Sequence, residues 1–224
     1  MKYGAVVFDL DGTLIDSLED LADAVNQALA INGFPPRATR CFKYYIGKGP
    51  KVMVARALPQ DRRNDEIVVE KCLVDFNGIY SHTFNVKTTL YEGIPDLLDE
   101  ISERGLKKAI LTNKPHIFTE KYVEELLADW NFEVVIGQRD EFPRKPDPSG
   151  AFRISEQLGI TSSRIVYLGD SGVDMLTAVG AGMLPVGVLW GFRTGDELRE
   201  NGAEYLIEAP MDLLSILDLH VSGV

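Results

Sequence analysis

Five short apolar runs, at 5–10, 108–112, 133–137, 164–169 and 184–189, alternate with helical patterns along most of this chain. Apolar runs of that length suit strands buried on both faces, and strands separated by helices suit a parallel sheet with right-handed crossovers. The helical stretches carry their own stop signals. At 95–104, Leu97, Leu98 and Ile101 share a face, Pro95 sits in the first turn and Gly105 follows the end. At 116–129, Val123, Leu126 and Leu127 come together; 150–158 ends at Gly159, and 174–179 at Gly180-Ala181-Gly182. The expected fold class is therefore α/β. In such sheets ligands bind beyond the carboxyl ends of the strands, which is where Asp9, Thr112 and Asp170 fall.

Between Thr13 and Thr88 the alternation stops and the chain reads as helical. Ser17-Leu18-Glu19-Asp20 has the form of a capping box with Asp in the acidic place. Leu18, Leu21, Ala22, Val25, Ala28 and Leu29 then make an apolar stripe closed by Gly33. Further helices are expected at 49–58 and 64–82, the second carrying Val68, Cys72, Phe76 and Tyr80 at four-residue steps. The expected organisation is a parallel-sheet, Rossmann-like core at 1–15 and 89–224. A small all-helical cap domain at 16–88 is inserted after the first strand, with hinges near 15–16 and 87–90.

The first apolar run ends in Asp9-Leu10-Asp11-Gly12-Thr13. Residues two apart on a strand point the same way, and two carboxylates brought together repel unless a cation or a proton lies between them. Asp9 and Asp11 thus suit a hard-cation site and an acid–base pair. Asp-Gly is also an ordinary turn pair. Three later segments bear on the choice: Leu111-Thr112-Asn113-Lys114, Arg144-Lys145-Pro146-Asp147-Pro148, and Gly169-Asp170-Ser171-Gly172-Val173-Asp174. Taken singly, Thr112 could cap a turn, Lys145 could be a solvated lysine, and Asp170 and Asp174 could serve a helix N-terminus.

Taken together and in order, these four segments resemble the motifs of the haloacid dehalogenase superfamily, across nearly the whole chain. The resemblance implies a phosphatase that forms an aspartyl phosphate. It makes Asp9 the nucleophile and Asp11 the general acid and then base. Thr112 with Asn113 binds phosphate oxygens, and Lys145 lends charge beside the nucleophile. It also implies Mg²⁺, held by Asp9, the main-chain carbonyl of Asp11, and Asp170, with Asp174 ligating directly or through water. Dehalogenases of the superfamily lack an acid at the place of Asp11, so phosphoryl transfer is expected here.

Tyr45-Ile46-Gly47-Lys48-Gly49 resembles the cap loop of phosphoglycolate phosphatases. Gly47 and Gly49 let backbone approach a ligand, and Lys48 could bind a substrate carboxylate; a surface loop with a solvated lysine reads equally well. Gly187-Val188-Leu189-Trp190-Gly191-Phe192-Arg193 resembles a stretch of the same group, with Trp190 read as packing and Arg193 as a cleft residue. Glu92-Gly93 and Gly172-Val173 depart from the usual pattern. The expected substrate is a small phosphate ester, with 2-phosphoglycolate first. The alternatives are a mutase resembling β-phosphoglucomutase, phosphonoacetaldehyde hydrolysis through a Lys48 Schiff base, a pyrophosphatase or nucleotidase, and a binding protein on a retained fold.

A formal net charge of −11 argues against a general nucleic-acid binder. Cys41 and Cys72 form no CxxC pair and read as free thiols in a reducing compartment. No leader-like segment precedes the first strand and no apolar run is long enough to span a membrane, so a cytoplasmic location is expected. Oligomeric state is not legible.

Overall fold

A run such as Ala5-Val6-Val7-Phe8, apolar at every position, gains most when both of its faces are covered. The computed structural model, which describes residues 2–140 and 143–218, places it centrally in a sheet. In chain order the elements are β1 (Ala5–Phe8), β2 (Ile15–Asp16), α1 (Leu18–Ile31), α2 (Thr39–Tyr45), α3 (Pro50–Ala57), α4 (Glu66–Thr83), β3 (Thr89–Leu90), α5 (Ile94–Glu103) and β4 (Lys107–Pro115). They continue as α6 (His116–Leu126), β5 (Val134–Gln138), α7 (Ser149–Leu158), β6 (Ile165–Gly169), α8 (Gly172–Ala181), β7 (Leu184–Val188), α9 (Gly195–Glu200), β8 (Tyr205–Ile207) and α10 (Leu213–Leu217). Contacts divide the chain into two units, one of Ile15–Thr89 and the other of the residues on either side.

In the larger unit six parallel strands lie in the order β5-β4-β1-β6-β7-β8, the α/β sheet expected from the sequence. From β1 the chain builds outward through β4 and β5, then returns to the other side of β1. In sheets of this kind ligands bind at such a reversal point, beyond the carboxyl ends of the strands. Phe8 ends β1 opposite Ile110 on one side and Leu168 on the other. Ala5, Val7, Ala109, Leu111, Ile165 and Tyr167 pack with Ala151, Ile154 and Leu158 of α7 and with Ala178 and Ala181 of α8. Val6, Phe8, Ile110, Val166 and Leu168 point to the opposite face and are equally buried. Each large apolar side chain buried this way contributes about 1.5–3 kcal/mol.

The structure shifts several boundaries. β4 does not stop at Thr112 but runs to Pro115, with its register against β5 shifting between Leu111 and Pro115. Thr112, Asn113 and Lys114 are therefore buried strand residues beyond the ladder with β1. β2, β3, β8, α2, α9 and α10 were not expected from the sequence. They span two to seven residues, too short for periodicity to stand out. Among the described residues no helix is long and apolar enough to cross a membrane, and both cysteines are free thiols.

The smaller unit is helical, α1 packing on α4 and α3 on α4. On α4 the buried face is Val69, Cys72, Phe76 and Tyr80; Val68, expected inside, is only half-buried. Phe76 stacks on Tyr80 at 5.2 Å, and Tyr80 meets Phe84 edge to face at 6.5 Å.

The expected capping box at Ser17 is not formed: Ser17 makes no side-chain capping bond. Asp20 instead turns away from its helix. Its buried carboxylate accepts hydrogen bonds from the backbone N–H of Val86, Lys87 and Thr88, and from Thr88 Oγ1 at 2.7 Å. Four donors at one charged acceptor outweigh a single cap bond. Asp20→Ala, which strands three backbone donors, is expected to lower the stability of the protein to urea by about 2–4 kcal/mol. A loss below about 1 kcal/mol would show that this contact does not hold residues 86–88 in place.

Candidate active site

Two strand ends and one helix deliver three carboxylates to one place. Asp9 follows β1 and Asp170 follows β6. Asp174 is the third residue of α8, one turn beyond the N-cap Ser171. All three are buried, and an oxygen from each lies within 4.8 Å of the others. Glycines make the convergence possible. A Cβ at Gly169 would stand 2.2 Å from Asp174 Cβ, and one at Gly191 would stand 2.3 Å from Asp170 Cβ. At Gly12, where φ is +88°, it would stand 2.3 Å from Asp170 Oδ2.

Lys145 enters this cluster as its central cation. Its Nζ lies 2.9 Å from Asp9 Oδ1 and donates to Asp174 Oδ1 at 2.6 Å and to the Leu111 carbonyl at 3.0 Å. Asn113 holds the Lys145 backbone from both sides: its Oδ1 accepts from Lys145 N–H at 2.9 Å and its Nδ2 donates to Lys145 C=O at 3.1 Å. Asn113, expected with Thr112 to bind substrate, thus also holds the lysine through its side chain. The other Asp174 oxygen accepts from Ser171 N–H and Ser171 Oγ. Asp170 Oδ2 accepts from Phe192 N–H at 2.7 Å. Trp190 Nε1 donates to the Thr13 carbonyl, tying the loop after β7 to the first motif. Arg193 is near-buried, 3.4 Å from Glu197, and its charge reaches Asp170.

Electrostatics follow from this crowding. Burial, joined by the charge of Asp174, pushes the Asp9 carboxyl up to about 6 against the pull of Lys145. Burial, Asp174 and Asp9 push Asp170 well above the usual carboxylate range. Burial opposes the charge on Lys145, but Asp174 and Asp9 hold its ammonium well above the usual lysine value. When all three are ionised, three carboxylates against one ammonium leave two negative charges, which a divalent cation would balance. In addition, Asp9 Oδ1 is buried without a well-aligned hydrogen-bond donor. An all-oxygen, carboxylate-rich donor set fits Mg²⁺.

Asp11, half-buried, lies outside this cluster and is gripped by Lys114, whose Nζ is 3.0 and 3.2 Å from its two oxygens. Sequence reasoning gave Lys114 no role. The available signal was its spacing: two residues from Thr112 on a strand, it shares Thr112's side of the chain. Thr112 Oγ1 accepts from Lys114 N–H at 3.3 Å. Gly47, Lys48 and Gly49 belong to the smaller unit. There Gly47 and Gly49 take φ of +105° and +85°, and Lys48 is exposed.

Residues 6–188 match the sequence family described as haloacid dehalogenase-like hydrolase. A phosphoglycolate phosphatase of Pseudomonas putida is 32% identical over 95% of this chain and 78% of its own length. One from Colwellia psychrerythraea is 32% identical over 93% and 94%. A solved structure described as a predicted phosphoglycolate phosphatase, from Haemophilus somnus, superposes with a TM-score of 0.90. It is 25% identical and covers 97% of this chain and 99% of its own.

If the carboxylate cluster is a divalent-cation site, metal-free protein should carry a pH signature. Asp9 and Asp170 bind protons more tightly folded than unfolded. Their contribution to stability is full below the ordinary carboxylate range, about pH 4, and is lost as pH rises, for Asp9 through about 6 and for Asp170 in the same direction. Mg²⁺ at pH 7 is expected to restore it as a rise in Tm, and Asp170→Asn to abolish that rise. A Tm indifferent to Mg²⁺ in the wild type would contradict a metal site here.

Proposed function

The chain belongs to the haloacid dehalogenase-like hydrolases, and on that footing we propose that it is a Mg²⁺-dependent phosphatase of small phosphate monoesters acting through an aspartyl phosphate on Asp9. The observation that carries this reading is Lys145 bridging Asp9 and Asp174, with Asp11 held separately by Lys114. On this reading Asp9, beside the Lys145 ammonium and two further carboxylates, serves as nucleophile, and Asp11, kept apart from them, serves proton transfer.

In the first step an Asp9 oxygen bonds to phosphorus and the phosphorus–ester oxygen bond breaks. The ester oxygen takes the proton of Asp11 and leaves as an alcohol. In the second, water loses a proton to Asp11 and bonds to phosphorus. The phosphorus–Asp9 bond then breaks, releasing phosphate and restoring the carboxylate. Lys145 offsets charge on the transferring group, and the Thr112 hydroxyl is the residue we assign to a phosphate oxygen. Asp9, Asp170, Asp174 and the Asp11 carbonyl would hold Mg²⁺. When bound, it would neutralise charge as the phosphoryl group moves.

For the substrate we assign 2-phosphoglycolate, on the strength of relatives bearing that activity in their names and of the Gly47-Lys48-Gly49 loop. Lys48 would read the carboxylate that this ester carries next to its phosphate. Asp9→Asn should reduce phosphate release to background. EDTA should stop release and Mg²⁺ restore it. Lys48→Ala should raise KM for 2-phosphoglycolate about tenfold or more while leaving an aryl phosphate nearly untouched. Equal effects on both esters would remove Lys48 from substrate reading.

A further inference from the structure

Lys114 is a closely held ionisable group beside the site that is assigned no part in either chemical step. It is 6% exposed, on a strand whose neighbouring residues are buried. Its ammonium sits 4.7 Å from the ring centre of Tyr122, a fully buried side chain of α6. Its N–H donates to Thr112 Oγ1. Its Nζ meets both oxygens of Asp11, at 3.0 and 3.2 Å. The stem is thus fixed by the strand, the head by an aromatic face, and the one acid outside the carboxylate cluster is held at the far end. A half-buried aspartate on a glycine turn would otherwise sample several rotamers.

We infer that Lys114 is a positioning residue for proton transfer: it holds the Asp11 carboxyl in the orientation from which one oxygen reaches the ester oxygen of the substrate. This rests on the reading of Asp11 as the acid. Lys114 takes no proton in the balance of either step, and it acts only through Asp11. Misplacing an acid by a fraction of a hydrogen-bond length costs most where the proton matters most. Esters with poorly leaving alkoxides need it. A nitrophenyl ester, whose oxygen leaves as a stable anion, needs it little.

The test is a double-mutant cycle of Asp11→Asn and Lys114→Met, read as kcat and KM on 2-phosphoglycolate and on p-nitrophenyl phosphate. Methionine keeps an unbranched stem against Tyr122. Lys114→Met is expected to lower kcat on the alkyl ester about 10–100-fold, with KM little changed and a much smaller loss on the aryl ester. In the Asp11→Asn background the same change should cost nothing further on the alkyl ester.

Equal losses on both esters, or an undiminished loss in the Asp11→Asn background, would make Lys114 a structural brace and overturn the inference. If Asp11→Asn is selective for the alkyl ester and Lys114→Met is not, only the inference falls. If Asp11→Asn itself costs both esters equally, the acid assignment falls and takes the inference with it. Should Lys114→Met not fold, Lys114→Gln goes through the same cycle with the same outcomes.

Discussion

A buried ammonium among buried carboxylates organises this molecule's candidate site. Lys145 reaches Asp9, Asp174 and the Leu111 carbonyl at once, and each contact comes from a different element. Neither side of that arrangement is stable alone: three carboxylates without the lysine would repel in a region that excludes water, and the lysine without them would shed its proton. The arrangement fixes the distance between the end of β1, the middle of β4 and the start of α8. The Asn113 grip on the Lys145 backbone and the Ser171 contacts to Asp174 brace it from outside. The negative charge left over is what a divalent cation bound there would balance.

The sheet order explains why these groups meet. β1 is central, so the residues that follow it are flanked on one side by the continuation of β4 and on the other by the turn after β6. β4 brings Thr112, Asn113 and Lys114; the turn after β6 brings Asp170 and, through α8, Asp174. Close approach of these segments leaves no room for a Cβ at Gly169 or Gly191. These two glycines are therefore spacing devices for the carboxylates.

The parallel sheet was legible because a strand buried on both faces must be apolar throughout. The convergence of Asp9 and Asp170 was legible because strand ends of an α/β sheet converge, and Asp174 was legible only through the resemblance of its motif. What the sequence hid were partners chosen across long separations. Asp20 looked like part of a capping box, but it meets residues 86–88. Asn113 was read only beside Thr112 as a phosphate contact, and both ends of its side-chain amide also meet Lys145. Lys114 had no role assigned to it within its motif, yet it grips Asp11 more than a hundred positions earlier in the chain. A hydrogen bond across that distance leaves no periodic trace, whereas burial and turn formation do. Val68 and Val69 show the limit of periodicity itself, since adjacent apolar residues leave the phase of a helical stripe undetermined by one position.

The central claim is that Asp9 carries the phosphoryl group between the two steps. The direct measurement is to quench the enzyme with acid during turnover of 2-phosphoglycolate, reduce any acyl phosphate with borohydride, and sequence the peptides by mass spectrometry. The account requires homoserine at position 9 in place of aspartate, absent without substrate and absent without Mg²⁺. An unmodified Asp9 in enzyme quenched while releasing phosphate, with the reduced residue elsewhere or nowhere, would contradict it.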